Sequence, residues 1–100
     1  MINNKIIKCV YIEEYGVLIV REGAMRPLIQ IINKCENDRE AQRWSSNVIA
    51  ILCADEQIHR NKLREMNGIK PLISLLSCDD NKVARNAAFA LGNACLENRM

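Results

Sequence analysis

The sequence has little of what breaks or stiffens a chain. Its 100 residues hold two prolines, Pro27 and Pro71, and four glycines. With 49% hydrophobic residues, such a chain is neither a disordered tail, a linker nor a collagen-like segment. Charge of one sign is lacking too. Fourteen Lys+Arg face twelve Asp+Glu, a net charge of +2. With one tryptophan and no dense basic stripe, nucleic-acid binding is not expected. Long apolar runs are absent. The longest apolar run, Val48 to Ala54, is seven residues, against the roughly 20 residues of a spanning helix. The first eight residues hold no apolar block of the kind a secretory signal needs. The expectation is a cytoplasmic or nuclear chain without membrane insertion. Histidine occurs once, at His59. No Ser/His/Asp set, phosphate-binding glycine loop or defensible acid pair is present, and 100 residues leave little material to wall an active site. Neither catalysis nor a cofactor is expected. His59 sits in a polar stretch and is expected to be exposed.

The cysteines number five: Cys9, Cys35, Cys53, Cys78 and Cys95. An odd count, wide spacing and no Cys-x-x-Cys pair argue against a disulfide framework or a zinc site. They read as small buried hydrophobes.

Two segments of the chain rhyme. Gly23-Ala24-Met25-Arg26-Pro27-Leu28-Ile29-Gln30-Ile31-Ile32 is echoed by Gly68-Ile69-Lys70-Pro71-Leu72-Ile73-Ser74-Leu75-Leu76, with the prolines 44 residues apart. Downstream, Arg43 to Cys53 is echoed 42 residues later by Arg85 to Cys95. The drift of two falls in a loop, where insertions are tolerated. A period near 42 is that of helical repeat arrays. The expected division is a leftover segment 1–11, a first unit 12–54 and a second unit 55–100.

Each unit reads as three helices. The first helices are expected at about Ile12 to Glu22 and Glu56 to Met66, with Gly23 and Gly68 as left-handed C-caps. The middle helices are expected to start at the prolines. Leu28, Ile31 and Ile32 supply one buried face, and Ile69, Leu72, Leu75 and Leu76 its counterpart. The third helices follow capping residues: Asn37-x-x-Glu40 as a capping box in the first unit, Asp79-Asp80-Asn81 in the second. The last helix then carries a small-residue stripe of Val83, Ala87, Ala88, Leu91, Ala94 and Cys95. Trp44 is expected to pack in the core or between units.

Gly68 to Ser77, Asp79 to Val83, and Ala87-Ala88-Phe89-Ala90-Leu91-Gly92-Asn93 together resemble an armadillo repeat. HEAT repeats share much of the pattern. The first unit is a weaker match. The resemblance implies an all-α, armadillo-type right-handed superhelical solenoid of about two three-helix repeats. It implies a protein-interaction module in which third helices line a groove for an extended peptide. A family asparagine there grips the peptide backbone, since a side-chain amide both donates and accepts. That asparagine falls on Asn93, with Phe89 and Arg85 one and two turns earlier. In the first unit the same face carries Arg43, Asn47 and Ile51, so the asparagine is missing. The site expected from the resemblance is Arg43, Asn47, Arg85, Phe89 and Asn93. Arg39, Arg43 and Arg85 on this face favour an acidic or phosphorylated ligand. The alternative is a structural piece of a longer array. Its uncapped end would then be apolar and prone to self-association or packing on neighbouring repeats.

Overall fold

The computed structural model describes residues 23–34 and 38–96. Five helices occur among them: α1 (Met25–Lys34), α2 (Arg39–Asp55), α3 (Gln57–Glu65), α4 (Ile69–Leu75) and α5 (Asn81–Ala94). No strand occurs among the described residues, which are all-α. The helix expected over 12–22, the segment 1–11, Cys9 and Cys35 lie outside them.

The helix ends come from local chemistry. Asp38 opens α2 by accepting the Ala41 amide at 3.0 Å. The cap is thus one residue after the expected Asn37, which lies outside the described residues. Asp80 opens α5 by accepting the Lys82 and Val83 amides at 2.9 and 3.1 Å. The middle helices begin at Met25 and Ile69, two residues before the expected prolines. Pro27 and Pro71 are still in the first turn, where a missing N–H breaks no intrahelical bond.

The turn before each middle helix needs one left-handed residue. In the first unit it is Gly23, at φ 93°. In the second it is Asn67, at φ 59°, and not Gly68, whose φ is −83°. Asn67 and Gly68 donate to the carbonyls of Arg64 and Leu63 at 3.0 and 2.9 Å, the paired bonds of a Schellman close to α3. Gly68 is required for space. A Cβ there would collide with Leu63 Cδ1 and lie 3.0 Å from Ile29 Cδ1.

The most extensive helix contact is α2 against α5. On one side of this pair α1 packs on α2 and α4 on α5, with α1 and α4 also touching; α3 reaches both α2 and α5. Leu28 and Ile32 of α1 meet Val48, Ile49 and Leu52 of α2 in a core that continues through Leu63, Leu72 and Leu75. Complete burial of a side chain such as Leu72 contributes about 1.5–3 kcal/mol. On α5 the buried stripe is Val83, Ala87, Ala90 and Ala94, at i, i+4, i+7 and i+11. Ala88 and Cys95, expected within it, are exposed, and so is Leu76 of α4. Cys53 fits the buried reading; Cys78 is half-buried.

Where α2 turns into α3, the last α2 carbonyls are sealed by side chains. His59 and Arg60, both buried, belong to α3. His59 Nδ1 lies 2.6 Å from the Leu52 carbonyl, which can only accept, so Nδ1 carries the proton. Arg60 donates to the carbonyls of Cys53 and Ala54 at 2.5 and 3.2 Å. The expectation of an exposed His59 therefore fails. A helix C-terminus inside the protein leaves carbonyls without intrahelical donors, and something must meet them.

Candidate interaction surface

The two last helices of the units, α2 and α5, lie side by side and present the residues expected to bind. Arg43 and Asn47 of α2 are half-buried. They line a cavity of about 230 Å³ together with Glu40, Trp44, Lys82 and Asn86. On α5, Arg85 is exposed, Phe89 is 63% exposed and Asn93 is half-buried. Trp44 combines both expected roles: it packs against the core and forms a wall of that cavity.

Two asparagines tie the helices together. Asn86 Nδ2 donates to the Arg43 carbonyl at 3.1 Å, and Asn93 Nδ2 donates to the Ala50 carbonyl at 2.8 Å. Both bonds join residues 43 apart, one more than the 42-residue offset, so each links α5 to the residue just before its counterpart in α2. The Asn93 amide is thus engaged by α2, with one N–H and its oxygen left for another group. Asn86 had no place among the expected site residues. Its seven-residue spacing from Asn93, two helical turns on one face, was the available signal.

The arginines divide into two kinds. Arg39 Nη2 is 3.1 Å from Asp79, and Arg39 Nη1 donates to Gln42 Oε1 at 2.9 Å. Arg43 Nε is 4.0 Å from Asp80 Oδ2 and has no hydrogen-bond partner among the described residues. The Val83 and Lys82 amides and the nearby Arg43 and Arg39 hold the Asp80 carboxyl below its ordinary 3.8. Asp80 therefore stays charged and faces Arg43 across a loose ionic contact while it caps α5. Arg85 has no ion-pair partner among the described residues. Among the described residues no three metal-ligating side chains gather. No described helix is long and apolar enough to cross a membrane. Burial pushes the Cys53 thiol up to about 11, against the opposing pull of Arg60 and Arg64; it is protonated near neutrality and unreactive.

A family model, that of the Armadillo/beta-catenin-like repeat, matches residues 57–96, the stretch that contains α3, α4 and α5. No curated protein and no solved structure matches the chain.

Proposed function

Residues 57–96 being an armadillo/beta-catenin-like repeat, we propose that the chain is a non-catalytic protein-interaction module that holds an extended, acidic peptide along the exposed side of α2 and α5. Repeats of this kind act generally as interaction scaffolds. The observation that carries the reading is Phe89. A phenylalanine 63% exposed in mid-helix gains nothing from water, and a ligand side chain laid over it recovers its burial. Arg85 lies one turn away with no ion-pair partner among the described residues, and Lys82 borders the cavity beside Asn47 and Trp44. These cations suit a carboxylate or phosphate on the peptide. Arg43, partly neutralised by Asp80, lines the edge of the cavity. The second amide N–H and the oxygen of Asn93 suit a peptide backbone group. The free thiols at positions 53, 78 and 95 are in keeping with a cytoplasmic or nuclear setting.

Fluorescence anisotropy with labelled acidic peptides and their basic counterparts tests the proposal. Acidic peptides should bind, and Phe89→Ala and Arg85→Glu should each weaken binding tenfold or more with the melting temperature unchanged. Preference for the basic peptides, or binding indifferent to both substitutions, would contradict it.

A further inference from the structure

A second cavity, of about 760 Å³, takes no residue from α2 or α5. α4 supplies most of its lining; Arg64 of α3, Asn67 of the following turn and Asn33 of α1 supply the rest. This groove therefore draws on both units and shares no residue with the cavity beside Trp44. Its apolar part is Ile69, Pro71 and Ile73. Ile69 is half-buried against the core, and Ile73 is 52% exposed. The two isoleucines are four residues apart and share one face of α4.

The charge on the groove has one sign. Arg64 and Lys70 line it, and among the described residues no acidic side chain does. Neither cation has an ion-pair partner among the described residues. Arg64 is held by neutral acceptors. Its Nη2 donates to the Ala94 carbonyl at 2.7 Å and its Nη1 to Asn61 Oδ1 at 3.3 Å. The guanidinium is thus positioned while its charge is unanswered, which lowers the ordering cost of meeting an anion. The same bias runs along the middle helices. Arg26 and Lys70 occupy equivalent places, each just before its proline, and both are exposed. α1 and α4 contain no Asp or Glu.

We infer that this groove is a docking site for an acidic, amphipathic helix of a protein partner. Apolar side chains one turn apart on such a helix would lie against Ile69 and Ile73, ridge on ridge at the same spacing. Carboxylates flanking them would meet Lys70 and Arg64. A helix suits the groove better than an extended chain, because it satisfies its own backbone. An extended chain brings an open N–H and C=O at each residue. Against these the lining sets the amides of Asn33 and Asn67, while the Ser74 hydroxyl already donates to the Lys70 carbonyl at 3.3 Å. A nucleic-acid strand finds no aromatic ring in the lining on which to stack a base. The inference stands apart from peptide binding on α2 and α5, since the two sites have no residue in common.

The test uses the full chain and a fluorescently labelled helical peptide with leucines at i, i+4 and i+7 and glutamates beside them. Anisotropy should show binding that weakens at least tenfold when the glutamates become lysines, and as much when a central proline breaks the helix. Lys70→Glu and Ile73→Glu should each weaken it tenfold or more with the melting temperature unchanged. Phe89→Ala should leave it as it was. Lys70 is exposed, so its variant decides the matter even where Ile73→Glu disturbs the fold. Binding lost in Phe89→Ala but kept in Lys70→Glu would overturn the inference, by moving the helix to α2 and α5. So would equal binding of the proline-broken peptide, or no binding of the acidic helix. Retention on anionic phospholipid vesicles that Lys70→Glu abolishes, without peptide binding, would also overturn it and give the groove to a membrane surface.

Discussion

α2 and α5 occupy the same place in successive units, yet they satisfy their backbones differently. α2 is covered by α1, α3 and α5, and side chains of α3 and α5 reach its carbonyls. Gln42, buried at its start, donates to the Ile32 carbonyl at 3.3 Å. Ser46 donates back to the Gln42 carbonyl at 2.7 Å. His59 and Arg60 seal its last carbonyls. α5 carries alanine at its buried positions 87, 90 and 94, and among the described residues the side chain that meets its end is Arg64, which donates to the Ala94 carbonyl at 2.7 Å. The difference teaches that polar residues in the first unit follow from enclosure. A helix end inside protein needs side-chain donors, and one facing water does not.

The largest break in this contrast should come from the two arginines. Arg60→Ala removes a buried guanidinium from two enclosed carbonyls and should cost about 2–3 kcal/mol. Arg64→Ala, which frees a carbonyl at the outer helix, should cost under about 1 kcal/mol. Urea denaturation measures both, and equal costs would undo the enclosure argument. The glycines give the next contrast, with opposite signs. Gly68→Ala forces Leu63 and Ile29 aside and should cost about 1–3 kcal/mol. Gly92→Ala enters open space within a helix and should stabilise by up to about 1 kcal/mol.

The junction should also respond to pH. Burial lowers the His59 pKa below its ordinary 6.5, more than the bond to the Leu52 carbonyl raises it, and Arg60 adds to the lowering. Its Nε2 is buried with no partner among the described residues, so protonation would place an unpaired donor and a second positive charge beside Arg60. The unfolded state takes up this proton first. The stability from the neutral ring is therefore present above about pH 6.5 and is lost as pH falls below it. Melting temperature should drop between pH 7.5 and 5.5, and His59→Gln should flatten that slope. The smallest expected effect is Ser45→Ala. The Ser45 hydroxyl is buried with no partner among the described residues where the second unit has Ala87, and its removal should be neutral or stabilising by up to about 1 kcal/mol.

Much of the arrangement could be read in the residues. The offsets of 44 and 42 reappear as matched left-handed turns and matched N-caps, because glycine, asparagine and aspartate act through their own backbone. The pairing of Leu28 with Leu72 followed from apolar spacing. What escaped were features set by neighbouring elements. His59 lies in a helix of polar composition and is buried because α2 needs its N–H. Gly68 looks like a left-handed cap, but Asn67 takes that conformation and Gly68 supplies clearance for Leu63. Cys95 echoes Cys53 in sequence, yet the second unit covers only the latter. Of the expected site, Phe89 and Arg85 emerge on the surface. Arg39 and Arg43, free charges by spacing alone, are bound to Asp79 and Asp80, which a helix-face argument cannot bring near.

The central claim is that the second unit buries the outer face of the first and leaves its own exposed. Native-state alkylation of the full chain, resolved by site, tests it most directly. The account predicts that Cys95 is modified at least a hundredfold faster than Cys53. Equal rates for the two thiols would contradict it.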